Sequence, residues 1–112
     1  MELRNYTPHD PLVFLGGGAA GVLPQLGNAR CVEQVTQKGW WDTERTLPRY
    51  VMHYGDVVGL PDPEPGVLFV VSQLAAQAAL HRPDVAFPIL LERDETGTIL
   101  GFRGLAESGG SQ

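Results

Sequence analysis

The residues best suited to chemistry in this chain are groups that hold anions rather than groups that break bonds. "HRPD" (81–84) supplies Arg82, "LERDETG" (91–97) supplies Arg93, and "GFRGL" (101–105) adds Arg103. A guanidinium offers a planar fork of donors that matches a phosphate or carboxylate. The competing use of Arg82 is an ion pair with Asp84, and of Arg93 a pair with neighbouring acids. Ser72, in "VVSQL", stands where an apolar run gives way to an alanine-rich one. Its hydroxyl can cap a helix, or join the free N–H groups of a helix start in holding an anion. "TPHD" (7–10) sets Thr7 and His9 about a stiffening proline, either as a hydroxyl-supported turn or as the wall of a ligand pocket. "GWWD" (39–42) puts Trp40 and Trp41 side by side in a loop, where they can anchor a protein partner, stack on a base or close over a core.

Catalytic and metal patterns are weaker. Ser72 lacks the G-x-S-x-G context of a nucleophile elbow. His9, His53 and His81 show neither H-x-H nor H-x-x-x-H spacing, and Cys31 has no cysteine partner. The sequence asks for no metal and no other cofactor, and the expectation is a protein that is not an enzyme.

Charge narrows the partners. Of the net −5, residues 1–55 contribute nothing, with five basic and five acidic side chains, whereas residues 56–112 hold three basic against eight acidic. A duplex nucleic acid needs a basic face, so it is excluded as the main partner. One cysteine cannot form an internal disulfide, which fits a reducing cytosol. "PLVFLGGGAAGVL" (11–23) is interrupted by glycines and falls short of the about 20 apolar residues that span a bilayer. It reads as a strand and a glycine turn, and no membrane association is expected.

These groups must be positioned by a single globular domain, residues 1–105, followed by a flexible tail at 106–112. An apolar content of 43% supports one ordinary core. "ELRNY" (2–6), "PLVFL" (11–15), "ARCVEQVTQ" (29–37) and "RYVMHY" (49–54) read as strands, with "KGWWDTERTLP" (38–48) as a hairpin tip. In "RYVMHY", Tyr50, Met52 and Tyr54 share one face and Arg49, Val51 and His53 the other, as in a half-buried strand. "GDVVGLPDPEPG" (55–66) is a loop stiffened by three prolines. "VLFVV" (67–71) is apolar on both faces and reads as a central strand. The principal helix is placed at about 72–81, started by Ser72 and stopped by Pro83. "DVAFP" (84–88) and two strands about the turn "DETG" close the chain. The expected class is α+β: a small, mostly antiparallel sheet with one principal helix, allowing a single βαβ crossover.

"NYTPH", "YGDVVGLPDPEPGVLFVVSQLAAQA", "RPDVAFP" and "LERDETGTILGFRGL" together resemble a family of small uncharacterised proteins encoded by bacteriophages, prophages and actinobacteria. The family patterns T-P-H, [FY]-G-x-V-x-G-L-P-x-P-x-x-G, V-S, R-x-D and R-D-x-x-G-x-x-x-G fall on Thr7–His9, Tyr54–Gly66, Val71–Ser72, Arg82–Asp84 and Arg93–Gly101. The segment 16–46 follows the pattern loosely. The resemblance implies an accessory phage-type protein and no particular reaction.

The expected function is therefore sequestration of a small anionic ligand, of which a nucleotide-derived immune signal is one class. Thr7, His9, Ser72, Arg82 and Arg93 would bind it within a homo-oligomer. One alternative is inhibition of a host defence protein through Trp40, Trp41 and the acidic proline loop. A small hydrolase centred on Ser72 or His9 is the other.

Overall fold

The computed structural model describes residues 1–108. Its centre is dictated by the stretch with no polar face. β1 (Glu2–Asn5) pairs in parallel with β6 (Val67–Val70), whose Phe69 and Val70 are fully buried. β7 (Val85–Arg93) lies parallel to the other side of β6, and β8 (Ile99–Ala106) returns antiparallel to β7. The sheet order is β1-β6-β7-β8.

Between β6 and β7 the chain crosses the sheet as α1 (Gln73–Ala78). Ser72 begins it: its Oγ accepts the Ala75 N–H at 3.2 Å, satisfying one of the free donors of a helix start. Ala75 and Ala76 have side chains short enough to let the helix lie close, and they pack with Ala29, Phe69, Val71 and Val85 in the main core. On another side of the sheet, β2 (Leu12–Val13) and β3 (Val22–Leu23) form a short ribbon closed by a 3-10 turn at Gly18–Gly21. Leu12, Leu23, Val70 and Phe102 make a second core, and Phe14 stacks on Phe102 with ring centroids 5.5 Å apart.

This corrects the expected α+β class. The chain is mostly β, 49% strand and 9% helical, with a curled mixed sheet in place of a mostly antiparallel one. The helix expected over about 72–81 has six residues and is a connector rather than a principal element. Two causes account for the difference. The helical segment ends by Ala79, whose N–H donates to the carbonyls of Ala75 and Ala76, well before Pro83. "DVAFP" and "ILLER" are one continuous strand, because Pro88 needs no ladder N–H where it falls in β7. β8 runs through Ala106, into the expected tail, of which residues 109–112 lie outside the described residues.

The remaining element leaves the domain altogether. β4 (Arg30–Trp40) and β5 (Pro48–Val58) pair antiparallel as a ribbon about 35 Å long at strand rise. Nearly every side chain on it is exposed on both faces. The ribbon is why the radius of gyration is 17.3 Å, against about 13 Å for a compact domain of this length. "RYVMHY" was expected to bury one face, but its strand has no layer against which to do so. At the root, Val57 and Leu60 pack on the main core and the Ala29 N–H donates to the Tyr6 carbonyl at 2.9 Å. Gly59 takes φ +85° there, and a Cβ on it would stand 2.5 Å from the Asn28 carbonyl oxygen.

Candidate functional site

The five residues expected to bind an anion are placed in separate parts of the fold, and most are already occupied. Thr7 is buried beside Asn5, which is buried as well. Asn5 Oδ1 accepts the Thr7 N–H at 2.9 Å and the Thr7 hydroxyl at 2.6 Å. Asn5 Nδ2 donates to the carbonyls of His9 at 2.8 Å and Leu23 at 2.9 Å. The hydrogen-bonding capacity of this amide is therefore filled. Thr7 Oγ1 also accepts the His9 N–H at 3.2 Å, and Gln25 Nε2 donates to the Thr7 carbonyl at 2.7 Å. "NYTPH" is thus a knot tying the end of β1 to β3. His9 itself is exposed, held through its backbone.

Arg82 is similarly engaged. Its Nε and one terminal nitrogen donate to the two carboxylate oxygens of Asp84 at 2.7 and 2.8 Å, and the same nitrogen reaches the Pro61 carbonyl at 2.9 Å. The guanidinium lies 5.8 Å from the Phe69 ring centroid. The fork that could hold a phosphate instead fastens the proline loop to the start of β7. The hydrogen bond from Arg82 is the main reason the Asp84 carboxyl is held below the usual carboxylate range, burial acting the other way. At the opposite end of β7, exposed Arg93 donates to the Gly97 carbonyl at 3.3 Å. Asp94 builds that turn by accepting the N–H groups of Thr96 and Thr98 at 2.9 and 3.0 Å.

Arg82 borders two hollows beside α1, of about 380 and 220 Å³, but its fork is already engaged by Asp84 and Pro61, whereas Ser72 faces a larger one with a donor to spare. A cleft of about 450 Å³ lies where the ribbon root meets α1, lined by Arg30, Cys31, Glu33, Val58, Ser72 and Leu74 among others. Ser72 Oγ accepts from Ala75, so its own proton remains free to be donated.

The two tryptophans part company. In extended backbone, adjacent side chains point to opposite faces. Trp40 is registered with Pro48, two residues from Tyr50, and so shares the face of Tyr50, Met52 and Tyr54. Trp41 turns the other way, where the Arg49 guanidinium lies 4.9 Å from its ring centroid. The tip that carries it is a built turn. Asp42 accepts the N–H groups of Thr46 and Leu47 at 3.0 Å, and the Trp41 N–H donates to the Leu47 carbonyl at 2.9 Å. The Thr46 hydroxyl also donates to Asp42 and is the main cause of its lowered pKa. Trp41 remains 65% exposed. The acidic proline loop, expected to join the tryptophans in one surface, sits a full length of β5 away, with Glu64 paired to Arg4. The sequence reading missed Asn5 and Arg49. An Asn two residues before a Thr, and an Arg directly following the turn that Trp41 opens, were the available signals.

Among the described residues no group of three His, Cys, Asp or Glu side chains gathers where a metal ion could be held, and no helix is long and apolar enough to cross a membrane. The fold and site define a mostly β domain that projects a two-stranded ribbon tipped by an ordered Trp–Arg pair. No protein-family model, curated protein or solved structure matches this chain.

Proposed function

We propose that this is a non-catalytic binding protein that engages a protein of its bacterial host through the ribbon tip. The observation that carries the reading is Trp41, largely exposed yet fixed by Arg49 stacking and the Asp42 turn. Tryptophan and arginine dominate the energetics of protein interfaces, and an anchor ordered before contact loses little entropy on binding. The host assignment rests on the phage-type resemblance, and the cytoplasmic one on a single free cysteine, Cys31. A photo-crosslinking amino acid in place of Leu47, beside Trp41, tests this in expressing cells. A discrete adduct with a host protein that disappears in the Trp41→Ala background is expected. No adduct, or one indifferent to Trp41→Ala, would overturn it.

The root cleft favours a second reading, capture of a small anionic ligand. Its volume falls within the range of about 300–1,000 Å³ typical of ligand sites, and Arg30 and Ser72 offer donors, although Glu33 opposes an anion there. Native mass spectrometry of gently purified protein, before and after denaturation, would show a released anionic compound. Protein that remains bare against a panel of nucleotides and cyclic nucleotides removes this reading.

A further inference from the structure

The face of the ribbon opposite Trp41 has its own logic. Register places Trp40 with Pro48, Gln37 with Tyr50, Val35 with Met52 and Glu33 with Tyr54, and side chains directly opposite one another share a face. Trp40 reaches this face because β4 carries one extra residue between Gln37 and Trp40, a bulge in which Gly39 takes φ +89°. Without it, Trp40 would alternate onto the side of Thr36. The resulting face carries six apolar side chains, Pro48 among them, and one formal charge, Glu33. The other face presents Gln34, Thr36, Arg49 and His53 about a half-buried Val51.

Val35, Trp40, Tyr50, Met52 and Tyr54 are each 41% to 56% exposed. At roughly 150–250 Å² per aromatic side chain, that leaves about 500 Å² of apolar surface on one face of a two-stranded ribbon, as much as the largest patch on a typical monomer. A two-stranded ribbon in water is marginally stable by itself and needs a further layer or strand. The flanking Gln37, Glu33 and Pro48, with Leu74 at the root, bring the coverable surface close to the about 800 Å² that each partner contributes to a standard interface.

We infer that this face is covered by the same face of a second copy of the chain, the two ribbons lying end over end about a two-fold axis near Met52. The shape of the face selects this arrangement. Trp40 stands at its tip end, 41% exposed. At its root end Tyr54 forms one wall of an open notch of about 270 Å³, completed by Gly55, Leu74, Gln77 and Ala78. Trp40 and the notch sit at opposite ends of the ribbon, so turning one copy end over end brings the Trp40 side chain of each toward the notch of the other. The contact is self-complementary and closes at two chains, as an isologous interface must. Stacking tip on tip would oppose the two Trp40 side chains and leave both notches empty. In the two-fold arrangement Trp41 and Arg49 remain outside, one pair at each end.

Sedimentation equilibrium over a wide concentration series tests the assembly, followed by Tyr50→Lys and Met52→Lys on this face and Thr36→Lys on the other. The expected result is a mass twice the 12.1 kDa of one chain for the wild type and Thr36→Lys, falling to that of one chain in the other two with their circular dichroism unchanged. Should the lysine variants misfold, Met52→Cys in a Cys31→Ser background gives a second reading, since a residue near the axis must form a disulfide with its own copy under mild oxidation while Thr36→Cys does not. A monomeric wild type overturns the proposal, as does a dimer that survives both lysine variants or a Met52→Cys protein that fails to cross-link. A heterologous protein occupying this face would appear as a monomeric wild type. Loss of the crosslink at the tip with the dimer intact would remove the proposed function and leave this inference standing.

Discussion

The sheet domain and the ribbon treat the same kinds of residue in opposite ways. In the domain, Asn5, Thr7, Arg82 and Asp84 turn inward and meet their partners, and among the described residues no buried side-chain nitrogen or oxygen lacks one. In the ribbon, Tyr50, Met52, Tyr54 and Trp41 turn outward and meet nothing within the chain that covers them. The difference teaches that a binding-type residue is informative only once its donors and surfaces are known to be free. Arg82 has the chemistry of an anion site and works as a fastener. Trp41 has the chemistry of a core residue and stands in solvent. Stability resides in the domain, and the capacity for contact resides in the ribbon.

Asn5→Ala should produce the largest effect. It strips partners from Thr7 and from the His9 and Leu23 carbonyls together, at a cost of about 3 kcal/mol or more. Gln34→Ala, on the ribbon, should stay within about 0.5 kcal/mol. Urea denaturation midpoints of the two variants measure the contrast, and near-equal values would dissolve it.

Arg82→Ala comes next, at about 2–3 kcal/mol, because it leaves Asp84 and the Pro61 carbonyl half buried without their donor. Arg82→Lys should recover a minor part, lacking the fork. The same pair sets an acid response. Asp84 is held below the usual carboxylate range chiefly by the hydrogen bond from Arg82, so folding favours its charged form. Its contribution is complete above about pH 4, the ordinary carboxylate value, and is lost as pH falls through the lowered folded value. A plot of stability against pH should therefore fall in acid for the wild type and fall less for Arg82→Ala.

Gly39→Val should act on the ribbon alone. A β-branched residue at φ +89° is strained by about 1–3 kcal/mol, and nothing lies near enough to support it. Amide exchange should accelerate across β4 and β5 while β6 and β7 keep their protection. Acceleration in both regions would mean that ribbon and domain unfold together and that the contrast between them is one of surface only.

The sequence made part of this legible. The all-apolar "VLFVV" and the serine that starts a helix after it are local signals, and the strand and the helix start stand where they were expected, while the helix itself stops after six residues. The alternation of "RYVMHY" gave its two faces correctly, because strand period is a local property. That neither face would be buried was not legible, since burial depends on what lies beyond the strand. The roles of Arg82 and Thr7 were hidden for the same reason: the Pro61 carbonyl and Asn5 Oδ1 capture them through the fold. The phase of Trp40 depended on a bulge, a one-residue event that period-2 reading cannot detect.

The smallest effect concerns strain inside the domain. Leu90 takes φ +55° within β7 and is 67% exposed. A left-handed conformation costs an ordinary side chain about 1–2 kcal/mol and glycine almost nothing, whereas glycine in a strand sacrifices about 0.5–1 kcal/mol in chain entropy. The two nearly cancel, so Leu90→Gly should change stability by about 0.5 kcal/mol or less. Leu91→Gly, one residue on in the same strand and without a positive φ, should show the full entropic loss. The difference between neighbouring variants in thermal unfolding isolates the kink. If Leu90→Gly is as damaging as Leu91→Gly, the Leu90 side chain, whose Cδ1 atom lies on the side where Gly104 leaves room, holds the kink in place. Exposure would then be no sign of idleness in the domain, and the contrast with the ribbon would rest on polar pairing alone.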